Sequence, residues 1–333
     1  MAATLADVAK AAGVSLATAS RVFGGPEKVS EATRQKVTKA AESLGYVANS
    51  TARALATGSS GLLGMVIPDL SSSYFAPLIS AVQTEVEESG CELIIVDSRG
   101  KTDVEVEIAQ RLHGRVDGLI LASPRSSAQA LSAVANRIPL VTVNRELPGI
   151  SSVSIDVTAG LTKLCALLIK RGHRRIAYIG GPPGSMSDAT RFATISSAMR
   201  SVGGTAFKLG PIDPNAQAGA HSFSDVREVK ATAVIAYNAL VAHGLILAVT
   251  EAGLAVPHDL AVAAADDLTD IGLGLPNMTA ITQPINTAGR LAGQMLFAHS
   301  RGRLQRNDEA ATESISGVQR IVLPTRLVLG DTA

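Results

Sequence analysis

The chain has 333 residues, 46% hydrophobic and 18% charged, with a formal net charge of +1. That balance excludes a disordered chain and a uniformly basic one, and the length leaves room for more than one domain. There is no apolar leader at the N-terminus and no run of about 18 apolar residues, so a cytoplasmic protein is expected. Cys91 and Cys165 sit singly in apolar segments, and the six histidines are scattered. No metal, cofactor or disulfide is expected from that spacing.

Residues 4–23 read as two short helices meeting at a tight turn. Leu5, Val8, Ala9 and Ala12 form an i, i+3, i+4, i+7 apolar stripe. Thr4 and Asp7 make a capping box, and Gly13 supplies the left-handed residue that a sharp helix end needs. Ser15 is placed to cap the second helix, with Val14, Ala19 and Val22 inward. Its other face collects Leu16, Ala17, Ser20 and Arg21. A third helix starts at Ser30 and Glu31, with Val37, Ala40, Ala41 and Leu44 expected inward. The segment from Asn49 to Gly58 is rich in small residues, with Leu55 its one good apolar anchor. Residues 1–58 hold seven basic side chains against four acidic, a balance of +3, while the remainder is at −2. The positive end is the one that phosphate contact would require.

From residue 61 strands and helices alternate. Strand-like runs are Leu62–Ile67, Glu92–Val96, Gly118–Ala122, Pro139–Asn144, Ser152–Ile155, Arg175–Gly180, Ala233–Tyr237, Leu260–Ala264 and Thr279–Gln283. Helical stretches include 76–89, 103–113, 157–171, 188–202, 240–252 and 285–299, and 302–317 reads as a loop. Near-continuous apolar strands with crossover helices predict parallel sheets covered on both faces. Such sheets bind ligands outside the carboxyl ends of their strands. Asp69, Asn144, Arg145, Asp156, Asn238, Asp266 and the Gly180–Gly184 segment all fall there.

These residues carry a resemblance. Thr4-Leu-Ala-Asp-Val-Ala, Ala12-Gly-Val-Ser, Ser20-Arg-Val, Val29-Ser-x-x-Thr-Arg, Leu44-Gly-Tyr and Ala52-Arg-Ala-Leu-Ala occur in order within one block. The chain resembles the lactose-repressor (LacI/GalR) family of bacterial transcription factors. Ile67-Pro-Asp-Leu, Val116-Asp-Gly-Leu-Ile-Leu, Arg171-Gly-His-Arg-Arg-Ile-Ala and Val256-Pro-x-Asp259 extend the likeness over roughly residues 60 to 329. The resemblance implies an N-terminal all-α helix-turn-helix DNA-binding domain, residues 1–58 with a hinge helix at about 50–57. Behind it stands an α/β periplasmic-binding-protein-like core, 60–329, of two doubly wound parallel-sheet subdomains. The first takes about 60–158 and 285–314, the second about 159–284 and 315–329.

The same likeness implies residue roles. Arg21 would read a guanine edge, and Leu16 and Ala17 would contact base edges. Ser15, Thr18, Ser20, Asn49 and Arg53 would fix phosphates or groove walls, with Thr4 and Leu5 in the same DNA-binding set. Leu55 would wedge into the minor groove. Tyr74, Phe75, Arg145, Arg191, Asn238 and Asp266 would contact a sugar-like effector. Tyr74 and Phe75 either cover an apolar face of that ligand or belong to the core. Against the family pattern, Ala239, Thr194, Ala264-Ala265 and Ala48 replace the usual residues, which bears on the effector's identity. A two-fold dimer on a palindromic operator follows, since one such helix pair contacts few bases. No leucine heptad tail for a tetramer is visible. Two alternatives stand beside this non-enzymatic repressor. One is a solute-binding sensor without DNA, which leaves residues 4–23 unexplained. The other is an enzyme using Gly180–Gly184 as a phosphate loop, whose prolines remove amide donors.

Overall fold

The computed structural model describes residues 3–24, 29–46, 58–267, 277–307 and 317–333. Three helices come first: α1 (Leu5–Ala12), α2 (Leu16–Gly24) and α3 (Glu31–Ser43). Val8, Ala9, Ala19, Val22, Val37, Ala40 and Ala41 form their buried core, with Leu5, Val14, Phe23 and Tyr46 packed around it. Leu44 is an exception to the expected inward set. It is 40% exposed, because α3 ends at Ser43 and the chain turns away through Gly45 at φ 60°.

The core begins with β1 (Leu62–Ile67), α4 (Phe75–Glu88), β2 (Glu92–Asp97), α5 (Thr102–Leu112), β3 (Gly118–Ala122), α6 (Ala128–Ala135), β4 (Leu140–Val143) and β5 (Ser151–Asp156). It continues through α7 (Val157–Lys170), β6 (Arg175–Ile179), α8 (Met186–Arg200), β7 (Thr205–Leu209), α9 (Ala216–His221) and α10 (Phe223–Glu228). Then come β8 (Ala233–Ala236), α11 (Ala239–Glu251), β9 (Ala261–Ala264), β10 (Thr279–Thr282), α12 (Ile285–Asn307), β11 (Arg320–Pro324) and β12 (Arg326–Val328). Two six-stranded sheets result, in the orders β11-β5-β4-β3-β1-β2 and β12-β10-β9-β8-β6-β7. All pairings are parallel except β10 with β12.

Each sheet is covered on both faces, which is why its central strands read as unbroken apolar runs. In the first lobe, α4 and α12 pack over one face and α5 and α6 over the other. In the second, α7 and α8 cover one face and α11 the other.

The chain passes between lobes three times. It crosses after Asp156, again between Thr282 and Ile285, and last between Pro324 and Arg326. The last crossing differs from the expected boundary at 314/315, which assigned 315–329 wholly to the second subdomain. β11 instead pairs with β5, and its Ile321 and Leu323 pack on the first lobe's core. β12, through Leu327, and the chain end, through Ala333, join the second. Thr325 Oγ1 donates to the Asp156 carbonyl at 2.8 Å, tying two crossings together. The expected loop at 302–317 differs over its first part, since α12 continues to Asn307 through residue types that favour helix; 308–316 lie outside the described residues. No helix among the described residues is long and apolar enough to cross a membrane.

Candidate functional site

Local chemistry shapes the helix-turn-helix. Asp7 N–H donates to Thr4 Oγ1 at 3.3 Å, while Thr4 N–H and its hydroxyl donate to Asp7 Oδ2 at 2.9 and 2.7 Å. Those bonds from Thr4, side chain first and backbone second, hold the Asp7 carboxyl below its usual range. Gly13, at φ 65°, donates to the Lys10 carbonyl and Val14 to that of Ala9, the bond pair of a Schellman stop. Ser15 Oγ accepts from Thr18 N–H at 3.1 Å and shares a hydrogen bond with Thr18 Oγ1 at 2.8 Å. Both hydroxyls thus serve the start of α2.

This capping fixes which face of α2 turns outward. Leu16 is 54% exposed, and Ala17 and Arg21 are exposed beside it, with Ser20 half-buried. Among the described residues Arg21 makes no ion pair. Thr4 is exposed at the start of α1, but the Leu5 side chain packs against the three-helix core. Leu5 is therefore only partly open to a partner at that helix end. Asn49, Arg53, Leu55 and the expected hinge helix at 50–57 lie outside the described residues.

The second candidate site is a cleft of about 500 Å³ between the lobes, at the carboxyl ends of both sets of strands. All six residues named for it, Tyr74, Phe75, Arg145, Arg191, Asn238 and Asp266, line it. Their chemistry differs. Arg191 is 4% exposed; its guanidinium donates to the Tyr237 carbonyl at 2.7 Å and lies 4.7 Å over the Tyr237 ring. Its Nε–H is buried without a partner among the described residues, a donor that costs stability unless something fills the cleft. Asp266 is buried and accepts from Ala239 N–H at 2.8 Å. Burial pushes its carboxyl up to about 7, against the pull of Arg191 and that amide.

Two of the six are largely structural. Phe75 is buried in the first lobe's core, edge-on to Tyr74 with ring centroids 5.2 Å apart. Asn238 caps α11 by accepting from Val241 N–H at 2.8 Å and donates to the Pro214 carbonyl at 2.9 Å. Tyr74 accepts from Asn144 Nδ2 at 2.7 Å, and burial pushes its phenol up to about 12. Arg145 reaches the Ser126 carbonyl only at 3.4 Å.

Sequence reasoning missed Tyr237, Ser123, Arg125 and Gln283, which also line the cleft. The position of Tyr237 directly after β8 was a usable signal. A Cβ at Gly181 would run into the Tyr237 ring, so a glycine in that loop lets the ring lie flat beneath Arg191. The Gly181 N–H donates to Asp188 Oδ1 at 2.8 Å, where Tyr178 also donates at 2.9 Å, while Lys208 Nζ meets Oδ2 at 2.7 Å. An amide given to a buried carboxylate is not offered to a phosphate. This argues against the phosphate-loop alternative. Among the described residues no cluster of His, Cys, Asp and Glu could hold a metal ion.

Comparisons with known proteins match both parts. The profile for bacterial regulatory proteins of the lacI family matches residues 4–49, and that for a periplasmic binding protein-like domain matches 165–333. The transcriptional regulator GalS of Salmonella typhimurium is 31% identical over 309 residues, covering 90% of this chain and 91% of that protein. Catabolite control protein A of Streptococcus mutans is 32% identical, covering 88% and 90%. A structure of the Lac repressor dimer bound to operator and an anti-inducer superposes with a TM-score of 0.84. It is 26% identical and covers 100% of this chain and 99% of that one. The transcriptional regulator CelR in complex with cellobiose gives 0.67 at 25% identity, covering 99% and 100%. These relatives are regulators rather than enzymes. A capped helix-turn-helix joined to a two-lobed α/β core, with both parts matched, establishes that the chain belongs to the LacI family of bacterial helix-turn-helix transcriptional regulators.

Proposed function

We propose that this protein is a ligand-responsive repressor that binds a palindromic operator as a dimer in the cytoplasm and carries a sugar or related metabolite in its interlobe cleft. Arg21 reads a guanine edge, worth roughly 1–3 kcal/mol of discrimination, and Leu16 and Ala17 touch neighbouring base edges. Ser15, Thr18, Ser20 and the first turn of α1 at Thr4 and Leu5 position the backbone. Asn49, Arg53 and Leu55, in a hinge helix at about 50–57, extend the contact into the minor groove. In the cleft Arg191 Nε–H donates to a ligand oxygen and Asp266 accepts from a hydroxyl or amine. Tyr74 and Arg145 close the first-lobe side, while Phe75 and Asn238 hold that wall and the start of α11 in place.

The observation that carries this reading is the buried Arg191 Nε–H, unpartnered among the described residues, in a cleft joined in one chain to an outward-facing Leu16-Ala17-Arg21 surface. The operator-bound dimer and the cellobiose complex among the structural neighbours support it. Random-oligonucleotide selection on the full chain, with and without a panel of sugars and sugar phosphates, tests it. A palindromic consensus whose affinity changes with one sugar is expected. Failure to enrich any sequence under either condition would sink the DNA-binding part, and a consensus insensitive to every ligand the cleft binds would sink the coupling.

A further inference from the structure

Ser123 leaves β3 in the left-handed region, at φ 49°, and turns the chain over the cleft mouth. The residues that follow are anchored from below. Glu105 on α5 is 4% exposed, and its two carboxylate oxygens accept from the N–H groups of Arg125 and Ser126, each at 3.1 Å. Ser126 Oγ donates to the Thr102 carbonyl at 2.9 Å. The backbone of Arg125 therefore cannot swing without breaking two charge-assisted bonds.

From that fixed base the Arg125 side chain passes over Gly100 of the first lobe, where an added Cβ would meet its guanidinium, and reaches the second lobe. Its Cδ lies 3.6 Å from where a Cβ of Gly184 would be, and its Nη1 donates to the Pro183 carbonyl at 3.0 Å. Pro183 belongs to the second-lobe loop that Asp188 grips through the Gly181 N–H. A chain of contacts thus runs from α5 through Glu105, Arg125 and Pro183 to Asp188 on α8, across the opening of the cleft. None of its bonds requires a ligand.

We propose that Arg125 is an interlobe clasp, a positioning residue that holds the Gly180–Gly184 loop against the first lobe before any effector arrives. The consequence for affinity rests on reading the cleft as the effector site. A preclosed cleft has less reorganisation to undergo, so the clasp tightens effector binding and biases the protein toward its closed form.

Hydrogen exchange read by mass spectrometry on the effector-free full chain tests this with Arg125→Ala and Arg125→Lys. Loss of a hydrogen bond from a charged donor is expected to speed exchange of peptides covering 181–190 about tenfold in the Ala variant. The Lys variant, with one donor group in place of a fork, falls between. Peptides from β3 and β6 stay unchanged. Unaltered exchange at 181–190, or uniform acceleration throughout the core, would overturn the clasp. Should the Ala variant fail to fold, Arg125→Gln carries the same comparison. Because no effector is added, a cleft that bound no sugar would defeat the functional reading and leave this result standing.

Discussion

Asp266→Asn separates the electrostatic cost of a buried carboxylate from its geometric role. The carboxyl sits at about 7 where 3.8 is ordinary, chiefly because burial penalises its charged form. Arg191 and the Ala239 amide pull it down, and Asp267 pushes it up. A folded value above the unfolded one means that the folded state holds the proton more tightly. The stability this group contributes is complete below its unfolded value and is lost as pH rises through 7. Three pH units at about 1.4 kcal/mol each give about 4 kcal/mol in full. Roughly 2–3 kcal/mol of that falls between pH 5 and pH 8, because the unfolded carboxyl is already ionised at the lower end. Asparagine keeps an Oδ1 to accept the Ala239 N–H and cannot ionise. Urea unfolding at both pH values should show the wild type losing that amount relative to the variant, whatever the constant offset between them. Parallel pH profiles for the two proteins would refute the reasoning.

Arg21→Ala should lower operator preference at one base pair by roughly 1–3 kcal/mol while ligand binding in the cleft is retained; a competition assay against single-base operator variants reads it. Ser15→Ala removes the acceptor for Thr18 N–H and should cost the helix-turn-helix about 1 kcal/mol, seen as a lower melting temperature of that domain. Asp117 accepts from Ser59 Oγ, Ser60 N–H, Ser60 Oγ and Gly61 N–H at 2.6–2.9 Å. Asp117→Ala should therefore free the entry to β1, with a loss of about 1–3 kcal/mol and faster proteolysis around residues 58–61. An uncut segment would exclude that anchoring role.

The helix-turn-helix was legible because its signals are local. Thr4 with Asp7, Gly13 and Ser15 lie within a dozen residues and act on neighbours a turn away. The cleft was legible at the level of position, since polar residues after apolar strands mark the binding edge of parallel sheets. What each side chain does there was not. Asn238 and Asp266 read alike in sequence, yet the amide of one is occupied by Val241 and Pro214 while the other remains an under-solvated carboxylate. Arg125 gave no signal at all, because its partner is a backbone carbonyl 58 positions away on the other lobe. Short elements such as α6, β7, α9 and β12 escaped because a few apolar residues fit either period.

The triple passage of the chain between lobes has a mechanical corollary. A single tether would let two bodies swivel and separate in any direction. Three adjacent strands, two of them stitched by Thr325 to the Asp156 carbonyl, oppose twisting and sliding while leaving a bend about their common line. A ligand that drew the lobes together on one side of that line would turn them in one defined direction on the other, as with a door whose several hinges leave it one way to move.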